Sequence, residues 1–113
     1  MGRRSRKQLE GAILQARDKK EKALAYYKLG LFHDNNTRES EAIPNYEMAL
    51  KLGLERNLKS KALVWLASSL YKTGKPKEAL KRTRQSMEIA NKDLQVFLVG
   101  LEKRIIKSIL SRK

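Results

Sequence analysis

The chain has 113 residues, one histidine, no cysteine and a formal net charge of +14. That length holds one domain, here taken as residues 1–113, and the missing cysteine excludes disulfides, thiolate metal sites and cysteine nucleophiles. With only 2 prolines and 6 glycines among abundant Ala, Leu, Lys, Glu and Arg, the composition predicts an all-α fold.

The basic start, Met1 to Lys7, is followed by Gln8-Leu9-Glu10 and not by the apolar region of a secretory signal. No apolar run approaches the roughly 20 residues of a membrane span. The expectation is a soluble cytoplasmic protein with no membrane partner. The charge is unevenly placed: residues 1–28 carry 9 basic and 3 acidic side chains, residues 29–57 carry 3 and 5, and residues 58–113 carry 14 and 4. Two basic ends flank a mildly acidic middle. Such a field attracts polyanions or acidic protein partners without specifying a fold.

Leu9, Ile13 and Ala16, then Leu24, Tyr27 and Leu31, keep the spacing of one helical face. One long helix or two abutting ones satisfy it. Asp18, with Glu21 three residues on, is a capping signal that favours a break near Lys19. His33 to Thr37 ends this segment, and Thr37 is expected to cap the next helix. That helix, about Arg38 to Leu52, buries Ala42, Ile43, Tyr46, Ala49 and Leu50 and stops at Gly53. Pro44 falls inside it, at a cost of about 3 kcal/mol, so a bend is expected between Ser40 and Pro44. Asn57 or Ser60 caps a third helix reaching about Lys72, with Ala62, Leu63, Leu66, Ala67 and Leu70 as its apolar set. Thr73-Gly74-Lys75-Pro76 reads as a turn with proline opening the next helix. That fourth helix, about Pro76 to Asn91, buries Ala79, Leu80, Met87 and Ile89 or Ala90. A fifth, about Lys92 to Leu110, carries Leu94, Phe97, Leu98, Leu101, Ile105 and Ile109 on one stripe. No segment alternates with period two, so no strand is predicted.

Glu41-Ala42 recurs 37 positions later as Glu78-Ala79, which places Leu29-Gly30 opposite Leu66-Ala67, His33 opposite Leu70 and Thr37 opposite Gly74. Self-similarity at this spacing is the mark of a stacked repeat. The strings "YYKLGLFHDNNTRESEAIPNYEMAL" and "LVWLASSLYKTGKPKEAL" resemble the tetratricopeptide repeat. The first matches at Tyr26, Leu29, Gly30, Ala42, Tyr46 and Ala49, the second at Leu66, Ala67, Gly74 and Ala79. Gly30 or Ala67 lets the second helix of a pair approach closely, and Ala42 or Ala79 is the complementary small residue. The period exceeds the usual 34, Thr83 and Ser86 replace the aromatic and alanine of the second unit, and no proline closes either repeat. The resemblance is to small bacterial proteins of two such units. It implies a right-handed superhelix of about five helices: an N-terminal helix (1–22), two repeats (23–54 and 57–91) and a C-terminal helix (92–113) that closes the end or opens a third, incomplete unit with Phe97 or Ile106 free for a partner subunit.

The residues show no enzyme. His33 falls in an inward-facing slot and is read as packed rather than catalytic, and no zinc or other metal site and no cofactor is expected. Glu39, Glu41 and Glu47 lie beside Arg38 and Lys51 and read as surface ion pairs. The resemblance implies an adaptor that grips a peptide in a concave groove lined by Leu24, Tyr27 and Leu31 from the first unit and Lys61, Val64, Ser68 and Tyr71 from the second. Val64 and Tyr71 are its expected hot spot, and Lys61 and Lys72 suit an acidic peptide. Leu24 and Leu31 stand where family members place Lys and Asn to clamp a terminal carboxylate, which argues against that mode. Trp65 is read as core or inter-repeat packing. The rival reading is RNA or DNA binding through Arg3, Arg4, Arg6 and Lys7 together with Lys77, Lys81, Arg82 and Arg84, cations able to contact phosphates but lacking a base-stacking array. Self-association is a third reading.

Overall fold

A computed structural model describes residues 5–111 and contains six helices among them: α1 (Arg6–Gln15), α2 (Lys19–Asn35), α3 (Glu39–Leu52), α4 (Arg56–Lys72), α5 (Pro76–Met87) and α6 (Lys92–Leu110). α2 and α3 form one antiparallel hairpin and α4 and α5 a second, with α3 packed on α4 and α5 on α6. α1 lies against α2 at one end. The stack is elongated, with extents of 46 × 26 × 26 Å, as expected when each unit touches only its neighbours.

The helix ends explain the count. Ser5 caps α1 in a reciprocal box, its Oγ accepting from the Gln8 amide at 3.2 Å while the Gln8 side chain accepts from the Ser5 amide at 2.9 Å. The chain then leaves helical geometry at Ala16, and Asp18 caps α2 by accepting from the Glu21 amide at 2.8 Å. Of the expected N-terminal helix over 1–22, residues 1–4 lie outside the described residues and the rest is α1 plus the start of α2, so six helices lie among the described residues where about five are expected. α4 begins earlier than expected, because Glu55 and neither Asn57 nor Ser60 is the cap; its Oε1 accepts from the Leu58 amide at 2.8 Å. α5 opens with Pro76 at its first position and ends at Met87, short of the expected Asn91. Asn91 caps α6 by accepting from the Leu94 amide. α3 runs unbroken across Pro44, which faces solvent.

The two hairpin turns are built alike. After α2 the Arg38 amide donates back to the His33 carbonyl, and after α4 the Lys75 amide donates to the Leu70 carbonyl, each at 2.8 Å. The residue just before closes the turn from the left-handed region: Gly74 with φ of 82° and Thr37 with φ of 56°. Glycine takes that conformation freely, whereas a β-branched side chain is strained there. Thr37 therefore does not cap α3, whose N-terminus has no side-chain cap; its hydroxyl donates to the Asn36 carbonyl instead.

The core follows the small-residue register. Ala42, Tyr46, Ala49, Ala62, Leu66, Ala67 and Ala79 are fully enclosed. Where the second unit lacks an aromatic, Thr83 and Ser86 are buried and satisfied, Thr83 donating to the Ala79 carbonyl and Ser86 to the Ser60 carbonyl of α4 at 2.9 Å. α6 buries Leu98, Leu101 and Ile105, but Phe97, expected on that stripe, is 44% exposed.

His33 is enclosed at the α2–α3 turn as expected. Its Nδ1 accepts from Arg38 Nε at 3.3 Å and lies 3.5 Å from a Glu41 carboxylate oxygen, while Arg38 pairs with Glu41 at 2.9 Å. Desolvation by burial pushes the imidazole below its ordinary 6.5, Glu41 pulling it up and Arg38 down, with smaller effects from Arg6 and Glu10 of α1. Because the folded value is depressed, the unfolded chain takes up the proton first as the pH falls.

Thr37→Gly should stabilise the fold by about 1 kcal/mol by relieving left-handed strain, read as a shifted midpoint in urea; a loss of stability would contradict the strained geometry. Wild-type stability should hold above about pH 6.5, decline below it and level off beneath the folded-state value, with His33→Gln flattening that decline. Parallel profiles for the two proteins between pH 7 and pH 5.5 would remove His33 from the account.

Candidate functional site

The first helices of the two hairpins, α2 and α4, meet at a cleft of about 200 Å³ lined by Leu31, Asp34, Asn35, Trp65, Ser68 and Lys72. These residues lie one to three positions apart at the C-terminal end of α2 and one turn apart along α4, so both helices present one face to the same opening. Of the groove predicted from sequence, Leu31 and Ser68 line this cleft. Lys61 lies apart, in a depression of about 340 Å³ with Asn57, Ser60, Asn91, Asp93 and Leu94, between the N-terminal ends of α4 and α6.

The remaining predicted groove residues belong more to the core than to a surface. Val64 is 1% exposed, so it does not form a solvent-facing hot spot with Tyr71. Tyr27 is buried, its ring 6.1 Å from that of Tyr46, and burial pushes its phenol up, opposed by the Trp65 indole. Leu24 and Tyr71 are half-buried and pack on the core. Trp65 corrects the sequence reading in the opposite direction: it is 39% exposed and forms one wall of the cleft. Its position in α4 gave little warning, because that helix is buried over most of its circumference.

Asp34 holds the floor of the cleft in place. Its Oδ1 accepts from Ser69 Oγ of α4 at 3.0 Å, and its Oδ2 accepts from the Tyr46 hydroxyl of α3. One carboxylate thus links three helices. Burial first, and then Asp34, pushes the Tyr46 phenol far above its ordinary range, so it remains a donor at any physiological pH. Lys72, by contrast, is exposed and, among the described residues, forms no ion pair. The cleft is therefore lined by part of the Trp65 indole, the Asn35 amide, the Ser68 hydroxyl and, in Lys72, a cation with no ion-pair partner among the described residues.

The predicted cationic patch is divided. Arg3 and Arg4 lie outside the described residues. Arg6 pairs with Glu10 and Arg84 with Glu102, each at 3.0 Å, and Arg82 donates to Gln85. Lys7, Lys77 and Lys81 are exposed, Lys7 on α1 and the other two on α5, and these helices do not pack on one another. A larger depression of about 490 Å³ lies by the α4–α5 turn, lined by Gly74, Lys75, Pro76, Lys77, Glu78 and Ile109; it has no aromatic wall. Among the described residues no cluster of three His, Cys, Asp or Glu side chains is placed to hold a metal, and no helix is long and apolar enough to cross a membrane.

No curated protein matches the chain. The family model described as Tetratrico peptide repeat matches residues 23–108, from the first hairpin through most of α6. Such repeats are interaction scaffolds and, in general, not catalysts. With paired helices nested through Gly30, Ala42, Ala67 and Ala79, and the match spanning most of its length, the chain belongs to the tetratricopeptide repeat family.

Proposed function

We propose that the chain is an adaptor whose α2–α4 cleft receives an acidic segment of another protein, with a side chain stacked on Trp65 and a carboxylate paired with Lys72. The observation that carries this reading is the partly exposed Trp65 side chain sharing one opening with Lys72, which forms no ion pair among the described residues. Tryptophan is the residue type most often found at binding hot spots, being large, rigid and able to donate from its indole.

Size favours a peptide. Small-molecule sites usually enclose about 300–1,000 Å³, whereas about 200 Å³ accommodates one or two side chains of a chain lying across the surface. The Asn35 amide, with both donors and an acceptor, suits the backbone of such a segment. The Tyr46 and Ser69 hydroxyls already occupy one acceptor position on each Asp34 oxygen, which leaves this carboxylate fewer positions for a ligand's donors.

Trp65 is the only tryptophan, so its emission reports on the cleft directly. Titration with a synthetic acidic peptide carrying an aromatic residue should change that emission saturably, and Lys72→Glu should weaken binding about tenfold, equal to about 1.4 kcal/mol. Affinity should also fall with added salt. Equal affinity for Lys72→Glu and wild type, or no response of Trp65 to any peptide in an acidic series, would overturn the assignment.

A further inference from the structure

α6 closes the stack on one side only. It buries Leu98, Leu101 and Ile105, while Val96, Phe97, Val99 and Leu110 are exposed, Val96 at 77%. α2 and α4, the first helices of their hairpins, are each covered by a following helix. α6 has no such partner among the described residues, although the family match extends to residue 108 and so includes it within the repeat region.

Gly100 lies in the middle of this uncovered side. A glycine inside a helix lowers its stability relative to alanine, so its presence calls for a reason. At Gly30 the reason is Tyr46, whose nearest ring carbon would lie 2.6 Å from an added Cβ; at Gly100 nothing among the described residues lies within 4 Å. The fold does not need this glycine. Helical spacing puts Val96 and Phe97 one turn before it and Lys103 and Arg104 one turn after, with Lys107 a further turn on. Gly100 is thus a notch between an apolar half and a basic half. Lys103, Arg104 and Lys107 are exposed, and among the described residues no carboxylate pairs with them, Glu102 being held by Arg84.

We propose that this face of α6 docks an acidic amphipathic helix of a partner protein, with a large side chain seated over Gly100 and carboxylates against Lys103, Arg104 and Lys107. The docked helix would cover α6 as α3 covers α2. Charge selects the partner: a second copy of a chain with net charge +14 would set cations against cations. The surface is separate from the α2–α4 cleft, so the two assignments stand or fall independently.

A suitable probe is the chain's own α3 sequence, residues 39–52, which carries Tyr46 and three glutamates against one lysine, made as a peptide with Pro44→Ala to favour helicity. Titrated into the full 15N-labelled chain, it should shift the amides of Val96 to Lys107 saturably. Gly100→Leu should weaken binding at least tenfold and Lys103→Glu with Lys107→Glu similarly, while Gly100→Ala retains the fold with raised thermal stability. Lys72→Glu should leave this binding unchanged. Shifts confined to α2–α5, equal affinity for Gly100→Leu, or equal affinity for a peptide with its glutamates changed to lysine would overturn the proposal. A wild-type dimer in sedimentation that Gly100→Leu abolishes would make a second copy the occupant, and tighter binding to anionic phosphatidylglycerol vesicles than to the peptide would make it a lipid surface; either result would also overturn it.

Discussion

The Tyr46 ring sits directly over the Gly30 backbone, and the geometry of both hairpins is referred to that contact. An added Cβ at Gly30 would lie 2.6 and 2.7 Å from two ring carbons, closer than carbon atoms approach without something moving. The ring has little freedom to move. It is fully enclosed, and its hydroxyl is committed to Asp34. Absence of a side chain on α2 therefore sets how closely α3 approaches, and that spacing determines where α4 meets both.

Asp34 carries the same constraint into the second hairpin. Through Tyr46 and Ser69 it joins α2, α3 and α4, and a half-buried carboxylate with two hydroxyl donors is well satisfied. The second hairpin reaches close packing by other means. Ala67 and Ala79 are fully buried, and Ser86 donates across to the Ser60 carbonyl where the first unit has the alanine Ala49. A polar bond between helices replaces a purely apolar contact. The cleft beside Trp65 and Lys72 is the outer edge of this arrangement, with Asp34 in its lining.

Much of the fold was legible because its signals are local. Asp18 with Glu21, Gly53 and Gly74-Lys75-Pro76 each place a helix boundary through capping or turn chemistry. The repeat register followed from Gly30, Ala42, Ala67 and Ala79. Glu55 was missed as a cap because glutamate is not among the residues that usually serve there. Thr37 was misread because its sequence type fits a cap, whereas the turn requires the left-handed geometry its partner Gly74 adopts. The site was less legible, for a reason specific to α4: this helix is packed by α3, α5 and α6, so nearly every face carries buried residues. Periodicity could not separate buried Val64 from exposed Trp65. Phe97 was similarly ambiguous, since α6 is covered on one side only.

The most direct test of the central constraint is the unfolding free energy of Gly30→Ala, Tyr46→Leu and the double variant. Helix propensity alone would make Gly30→Ala stabilising by about 1 kcal/mol. The account predicts instead a loss of about 1–3 kcal/mol from overpacking, and a double variant less damaged than the sum of the two single changes, because the smaller side chain relieves the clash. A stabilising Gly30→Ala, with effects that simply add, would mean that the ring and the glycine do not meet as described.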